Sequence, residues 1–86
     1  MDINQLIAIV KSKIENEIKL ENISIEDKSY LHKNHLGNIE GKYHLKISLK
    51  SKDLKKMKKI ESNKRIYKIL QDEIKQFIHS LQIFID

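Results

Sequence analysis

Apolar residues in the first part of the chain recur at steps of three and four, the period that places side chains on one face of a helix. They are Ile3, Leu6, Ile7, Val10, Ile14 and Ile18, and they predict a helix over about 2–18. The following stretch, "LENISIED", sets Leu20, Ile23 and Ile25 partly in alternation with polar residues. That alternation predicts a short, half-buried strand.

The next part of the chain is first rich in turn-forming residues and then alternates between apolar and polar residues. Residues 28–42 contain Gly37, Gly41 and two asparagines but little apolar material, and they are expected to form a loop. "KYHLKISLK" then alternates cleanly, which predicts a strand. Its core-facing positions are Tyr43, Leu45, Ile47 and Leu49, with His44, Lys46 and Ser48 on the opposite face.

The second half predicts helices followed by a strand. Ser51 or Asp53 is suited to cap a short helical turn within "LKKMKKI", because either side-chain oxygen accepts a free backbone N–H. A longer helix is predicted over about 62–78, and its apolar face comprises Ile66, Ile69, Leu70, Ile74, Phe77 and Ile78. The stretch "SLQIFID" alternates again and predicts a third strand.

The elements therefore follow the order α-β-β-α-β. One hairpin and one right-handed helical crossover would place the third strand parallel to a neighbour. The expected fold class is α+β, a two-layer sandwich with a three-stranded mixed sheet under the helices. Eighty-six residues without a change to linker-like composition fit a single domain over 1–86.

Composition narrows the possible functions. The chain has no cysteine, which excludes disulfides, thiolate catalysis and a cysteine metal cage built by this chain alone. The apolar run at residues 6–10 is much shorter than the ~20 residues that span a membrane, so no membrane association and a cytoplasmic location are expected.

Positive charge is concentrated in one segment. Residues 50–68 contain nine Lys or Arg against Asp53 and Glu61, in a chain whose net charge is +5. Such a face attracts polyanions, either nucleic acid through its phosphates or an acidic protein surface. A general bias toward Lys and Ile, or a merely solvated helix face, accounts for the same excess, so charge alone does not choose between them.

Three histidines are candidate ligands. His79 lies at the junction of the last helix and the last strand, where it either complements the helix dipole or serves as a positioned imidazole ligand. His32 and His35 lie in the loop and are either solvated or metal ligands that need further donors from elsewhere. His44 is interpreted as a structural or surface residue.

Catalytic motifs are weak. Ser29 near His32, and Ser80 beside His79, lack the third member of a positioned triad, and the two glycines have no phosphate-binding motif around them. We therefore expect that the protein is not an enzyme.

Several short motifs in register resemble the BolA family. They are "EDKSYLHKNH", "KYHLKISLKS", "NKRIYKIL" and "FIHSLQI", in the family's order over about residues 5–85. The resemblance implies a fold related to class II KH domains. It also implies a monothiol glutaredoxin partner with glutathione, sharing a bridging 2Fe-2S cluster whose imidazole ligands come from this chain.

Carried over by motif, the cluster ligands are His79 and His32, because His32 stands three residues after the signature Ser29, with His35 as the fallback for His32. Alone, the protein would carry no cofactor and would be a monomer or weak homodimer. The function expected is iron–sulfur trafficking or iron sensing. The alternative is a DNA-binding transcriptional regulator that uses the basic second-helix surface of Lys58, Lys59, Lys64, Arg65 and Lys68.

Overall fold

The structure, a computed structural model, describes residues 2–29 and 42–86. Four helices and three strands form in the described part of the chain. They are α1 (Ile3–Glu17), β1 (Asn22–Asp27), β2 (Tyr43–Lys50), α2 (Lys52–Lys56), α3 (Lys59–Ile69), α4 (Gln71–Gln76) and β3 (Ile78–Ile85). The predicted α+β class and the order α-β-β-α-β are confirmed, with the last helical region divided into three helices.

The sheet has the order β1-β2-β3. β1 and β2 are antiparallel, whereas β2 and β3 are parallel, which confirms the predicted hairpin and crossover. Leu45, Ile47 and Leu49 face the helices and are buried. Because side chains alternate along a strand, His44, Lys46 and Ser48 project from the opposite face of the sheet.

Both early helices begin at side-chain caps. Asp2 accepts the backbone N–H of Gln5, whose side chain in turn accepts the N–H of Asp2, a reciprocal capping box. Ser51, one of the two predicted caps, accepts the N–H of Leu54 and starts α2. These bonds satisfy N–H groups that have no partner within their own helix.

The core lies between the helices and the inner face of the sheet. It is a single cluster of buried aliphatic side chains: Leu6, Val10, Ile14, Ile18, Leu45, Ile47, Leu49, Leu54, Ile66, Leu70 and Ile78. At its edge, the ammonium of Lys13 bonds both carboxylate oxygens of the buried Glu73, at 2.9 and 2.7 Å. This ion pair joins α1 to α4.

One prediction about helix length was wrong. The single helix expected over 62–78 begins earlier, at Lys59, is interrupted at Leu70 and ends at Gln76. Phe77 and Ile78 lie beyond it, and the carbonyl of Phe77 accepts the backbone N–H of Tyr43. Phe77 and Ile78 therefore pair with β2 through their backbone, although the spacing of their apolar side chains also suits a helix.

Candidate functional site

His79 is the second residue of β3 and its side chain is exposed. Between Tyr43 and His44 the paired residue on β3 advances by two, from Ile78 to Ser80. His79 is therefore the extra residue of a β-bulge. Bulges change the direction in which a side chain points, so this irregularity holds an exposed imidazole at the end of the parallel ladder.

His44 lies beside His79 and is almost fully buried, with 4% of its surface exposed. The two imidazole rings meet edge to face, with 5.0 Å between centroids and 74° between planes. His44 Nδ1 and the hydroxyl oxygen of Ser80 are 2.6 Å apart, a hydrogen-bond distance. His44 is thus the structural residue of the pair, and it supports the ring of His79 from one side.

The backbone of His44 also fixes the chain that follows β1. Its N–H donates to the hydroxyl oxygen of Ser29 at 3.0 Å, and its carbonyl accepts the N–H of Lys28 at 2.7 Å. The N–H of Ser29 in turn donates to the carboxylate of Asp27 at 2.9 Å. Ser29, which begins the histidine-rich segment, is therefore bonded to a residue that contacts His79.

An ion pair lies on the same hairpin. The ammonium of Lys28 is 2.9 Å from a carboxylate oxygen of Glu26. That hydrogen bond lowers the pKa of Glu26 below its usual 4.5. The ion pair therefore favours the charged form of the Glu26 carboxylate.

His79 can act as a metal ligand because neutral imidazole binds iron and other transition metals. In residues 2–29 and 42–86, no group of three or more His, Asp or Glu is placed to hold a metal ion. The described residues therefore supply one exposed imidazole, and further ligands must come from elsewhere. His32 and His35 lie outside the described residues, so their assignment stays a prediction.

The five predicted nucleic-acid residues are all exposed: Lys58, Lys59, Lys64, Arg65 and Lys68. Lys58 precedes α3, and the other four lie on it. Arg65 and Lys68 line a groove between α1 and α3. The guanidinium of Arg65 also donates to the carbonyl of Glu17 at 3.0 Å, where a cation complements the end of a helix.

The structure divides the basic surface. Lys59 lines a second groove beside β3, together with Lys55. Lys64 and Lys68 are one helical turn apart on the solvent face of α3. The predicted residues therefore occupy one helix and its start but face at least two different grooves.

Sequence reasoning did not find the contact between His44 and His79. Only the register of a parallel pairing brings these residues together, and no local pattern specifies that register. The sequence does contain one signal of the β-bulge. Leu81, Ile83 and Ile85 are two residues apart, whereas Ile78 is three residues before Leu81 and so breaks the alternation. A bulge between them restores the alternation, so the break in the pattern marks His79.

In the part of the chain that the structure describes, no helix is long and apolar enough to cross a membrane.

Comparison with known proteins agrees with this architecture. The BolA domain of SufE1 from Arabidopsis thaliana superimposes with a TM-score of 0.78 at 26% identity, covering 100% of this chain and 93% of that one. BolA1 from the same plant gives a TM-score of 0.75 at 24% identity, covering 91% and 86%.

Sequence comparison gives the same family. The DNA-binding transcriptional regulator BolA of Haemophilus influenzae is 32% identical over 75 residues, which are 87% of this chain and 70% of that protein. The SufE-like protein 1 of Arabidopsis thaliana is 28% identical over 79 residues, and the match covers only 21% of its length. The family model described as BolA-like protein matches residues 14–85. With its fold, its motifs and most of its length in agreement, this chain belongs to the BolA family.

Proposed function

We propose that this protein pairs with a monothiol glutaredoxin and shares a bridging 2Fe-2S cluster with it, for iron–sulfur trafficking or iron sensing. The observation that carries the proposal is the exposed imidazole of His79, raised on a β-bulge and supported by the buried ring of His44. A ligand that is fixed by the fold yet open to solvent is suited to a centre completed by a second protein.

The donor set fits a shared cluster better than a metal site built by one chain. Iron–sulfur clusters need four ligands, and this chain has no cysteine. The described residues offer His79 and no group of three ligands. The partner would supply its own cysteine and the glutathione thiol, and two imidazoles of this chain would complete the set. Imidazole ligation raises the reduction potential of such a cluster relative to thiolate ligation.

His32 is the second ligand in this proposal, with His35 as the fallback. Ser29 is hydrogen-bonded to His44, which contacts His79. His32 is three residues from Ser29 in the sequence, and three residues of chain reach at most about 11 Å. His35 is six residues from Ser29 in the sequence. This tether supports His32 as the ligand that joins His79.

The test is anaerobic cluster reconstitution of this protein with a monothiol glutaredoxin and glutathione, followed by visible circular dichroism. We expect a heterodimer spectrum that differs from that of the glutaredoxin homodimer and that is lost in His79→Ala. His32→Ala should weaken the spectrum and His35→Ala should leave it unchanged. An unaltered homodimer spectrum with the wild-type protein would contradict the proposal, as would full retention in both His79→Ala and His32→Ala.

A second candidate function is direct DNA binding, with transcriptional regulation as its outcome. It is favoured by the name of the Haemophilus influenzae relative, a DNA-binding transcriptional regulator, and by the exposure of all five predicted cations. Phosphate contacts by these residues would make affinity fall with salt. A duplex mobility-shift assay at physiological salt tests it, and binding that is absent or indifferent to sequence would argue against promoter recognition. The two functions are compatible because His79 and α3 are separate sites.

A further inference from the structure

The far end of β3 carries an open sheet edge beside a groove. In the sheet formed by the described residues, β3 pairs with β2 alone. A groove of about 320 Å³ runs between this strand and the α2–α3 turn. Its lining includes Ile83, Ile85, Met57, Lys55 and Lys59.

Two hydrogen bonds show which backbone groups face the open edge. The N–H of Asp86 donates to the carbonyl of Leu49, so Asp86 points toward β2. Backbone groups alternate in direction along a strand, so those of Ile83 and Ile85 point away from β2. The hydroxyl of Tyr67 donates to the carbonyl of Leu81 at 3.1 Å, which agrees with this alternation and covers the edge at Leu81. The open stretch is therefore Ile83 to Ile85.

We propose that this edge and groove bind an extended acidic peptide segment of a partner protein, which adds a strand beside β3. The backbone N–H and carbonyl groups of Ile83 and Ile85 would pair with the peptide, and its apolar side chains would enter the groove against Met57. Because side chains alternate between the two faces of a strand, glutamate or aspartate two residues from the apolar side chain would lie on the same face and would meet Lys55 and Lys59. The charge of these two lysines selects an acidic sequence.

A second copy of this chain fits the edge less well. Two copies paired through β3 would bring the lysines of both grooves together, in molecules that each carry a net charge of +5. The strand β3 itself, Ile78–Ile85, contains neither lysine nor proline, the residues that commonly prevent another strand from pairing with an exposed edge, so the edge can accept a strand. An edge left open and flanked by positive charge favours an acidic partner over self-association.

Single-stranded nucleic acid is also less favoured. Its sequence-tolerant binding relies on several aromatic rings that stack successive bases. Among the described residues that line this groove, Phe84 alone is aromatic, and the ammonium of Lys46 already lies 5.0 Å from its ring centroid. The groove thus offers backbone groups and aliphatic surface, which suit a peptide.

The probe is a fluorescein-labelled synthetic decapeptide with threonine at every second position and valine and glutamate in turn at the positions between, so that one face of the strand carries both. Its binding is measured by fluorescence anisotropy at physiological ionic strength. We expect saturable binding, with amide hydrogen exchange slowed at Ile83 and Ile85. The control peptide has the same sequence with N-methyl groups on its four central backbone nitrogens, which removes the donors and keeps the charge. Binding to this control should be lost.

Charge reversal tests the groove. Lys55→Glu combined with Lys59→Glu should weaken peptide binding at least tenfold. The matched variant Lys11→Glu combined with Lys75→Glu changes the net charge equally at exposed positions outside the groove and should bind normally. His79→Ala should also bind normally, because His79 lies at the opposite end of β3. This outcome separates the inference from the cluster proposal.

Three results would overturn the proposal. The first is the lack of saturable binding, or equal binding of the N-methylated control. The second is tighter binding of a ten-nucleotide deoxythymidine oligomer that protects the same two amides, which would assign the groove to nucleic acid. The third is concentration-dependent protection of Ile83 and Ile85 without any peptide, which would assign the edge to a second copy of the chain.

Discussion

The imidazole rings of His44 and His79 are 5.0 Å apart at their centroids, yet one residue is buried and the other is exposed. This contact separates two roles that histidine can play in a protein. His44 contributes to the stability of the sheet through Ser80 and Ser29, whereas His79 presents a ring nitrogen to a partner.

This division predicts opposite effects for two substitutions. His44→Phe keeps an aromatic ring but removes the nitrogen that bonds the hydroxyl of Ser80, so the free energy of unfolding should fall by about 1–3 kcal/mol. His79→Ala removes an exposed side chain and should change it by less than about 0.5 kcal/mol. Urea denaturation measures both. Equal destabilisation by the two variants would show that the rings do not divide their roles as described.

Replacing His79 with cysteine should retain the cluster but change its properties. A thiolate is a stronger donor than neutral imidazole, so the His79→Cys heterodimer should have a lower reduction potential than wild type. Anaerobic redox titration followed by visible absorption measures this shift. A cluster that reconstitutes with an unchanged potential would show that residue 79 does not bind iron.

Ser51 should be a sensitive position on the helical side of the core. Its buried hydroxyl accepts the N–H of Leu54 at 3.2 Å and donates to the carbonyl of Lys19 at 3.1 Å. Ser51→Ala should lower the free energy of unfolding by about 1–2 kcal/mol, since it removes a helix cap and leaves buried groups unpaired. Ser24→Ala, on the exposed face of β1, is the control and should be nearly neutral. Comparable losses in the two variants would contradict this role.

The ion pair between Lys13 and Glu73 predicts a dependence on alkaline pH. Its hydrogen bond to Glu73 raises the pKa of Lys13 above 10.5. The stabilisation is complete below pH 10.5, the unfolded value, and is lost as pH rises through the higher folded value. Lys13→Met should therefore lower Tm at neutral pH, and its difference from wild type should shrink above pH 10.5. Lys11→Met, an exposed change on the same helix, should show no such convergence.

If the protein binds duplex DNA through α3, salt dependence should identify the contacts. Each phosphate contact contributes about −0.9 to the slope of log affinity against log salt. Lys64→Gln combined with Lys68→Gln should reduce the slope by nearly 2, whereas Lys11→Gln combined with Lys75→Gln should leave it unchanged. Fluorescence anisotropy at several salt concentrations measures the slope, and equal slopes in the two variants would move the contact surface away from α3.

The sequence was sufficient to predict α1, the three strands and the order of the elements because each carries its own hydrophobic period, but it did not predict the interruption at Leu70. It also located His79 within two residues of a strand boundary. It placed Ile78 in a helix, because four residues separate it from Ile74 and the bulge hides its membership in β3.

Contacts between residues far apart in the chain could not be predicted from the sequence. The bond between His44 and Ser80 joins residues 36 apart, and the pair between Lys13 and Glu73 joins residues 60 apart. Their partners follow from the register of the parallel strands and from the packing of α1 against α3, which brings Lys13 to Glu73 of α4. Neither is specified by the residues near His44 or Lys13 alone.

The parallel pairing of β2 with β3 also has a kinetic consequence. A hairpin such as β1 with β2 can close early, but β3 can join the sheet only after α2, α3 and α4 have brought the chain back across it. Pairings between distant residues carry a loop-closure cost and form slowly. We therefore expect His79 to acquire its supported position in the late stages of folding. A partner that recognises His79 in this setting would discriminate the completed fold from partly folded chains.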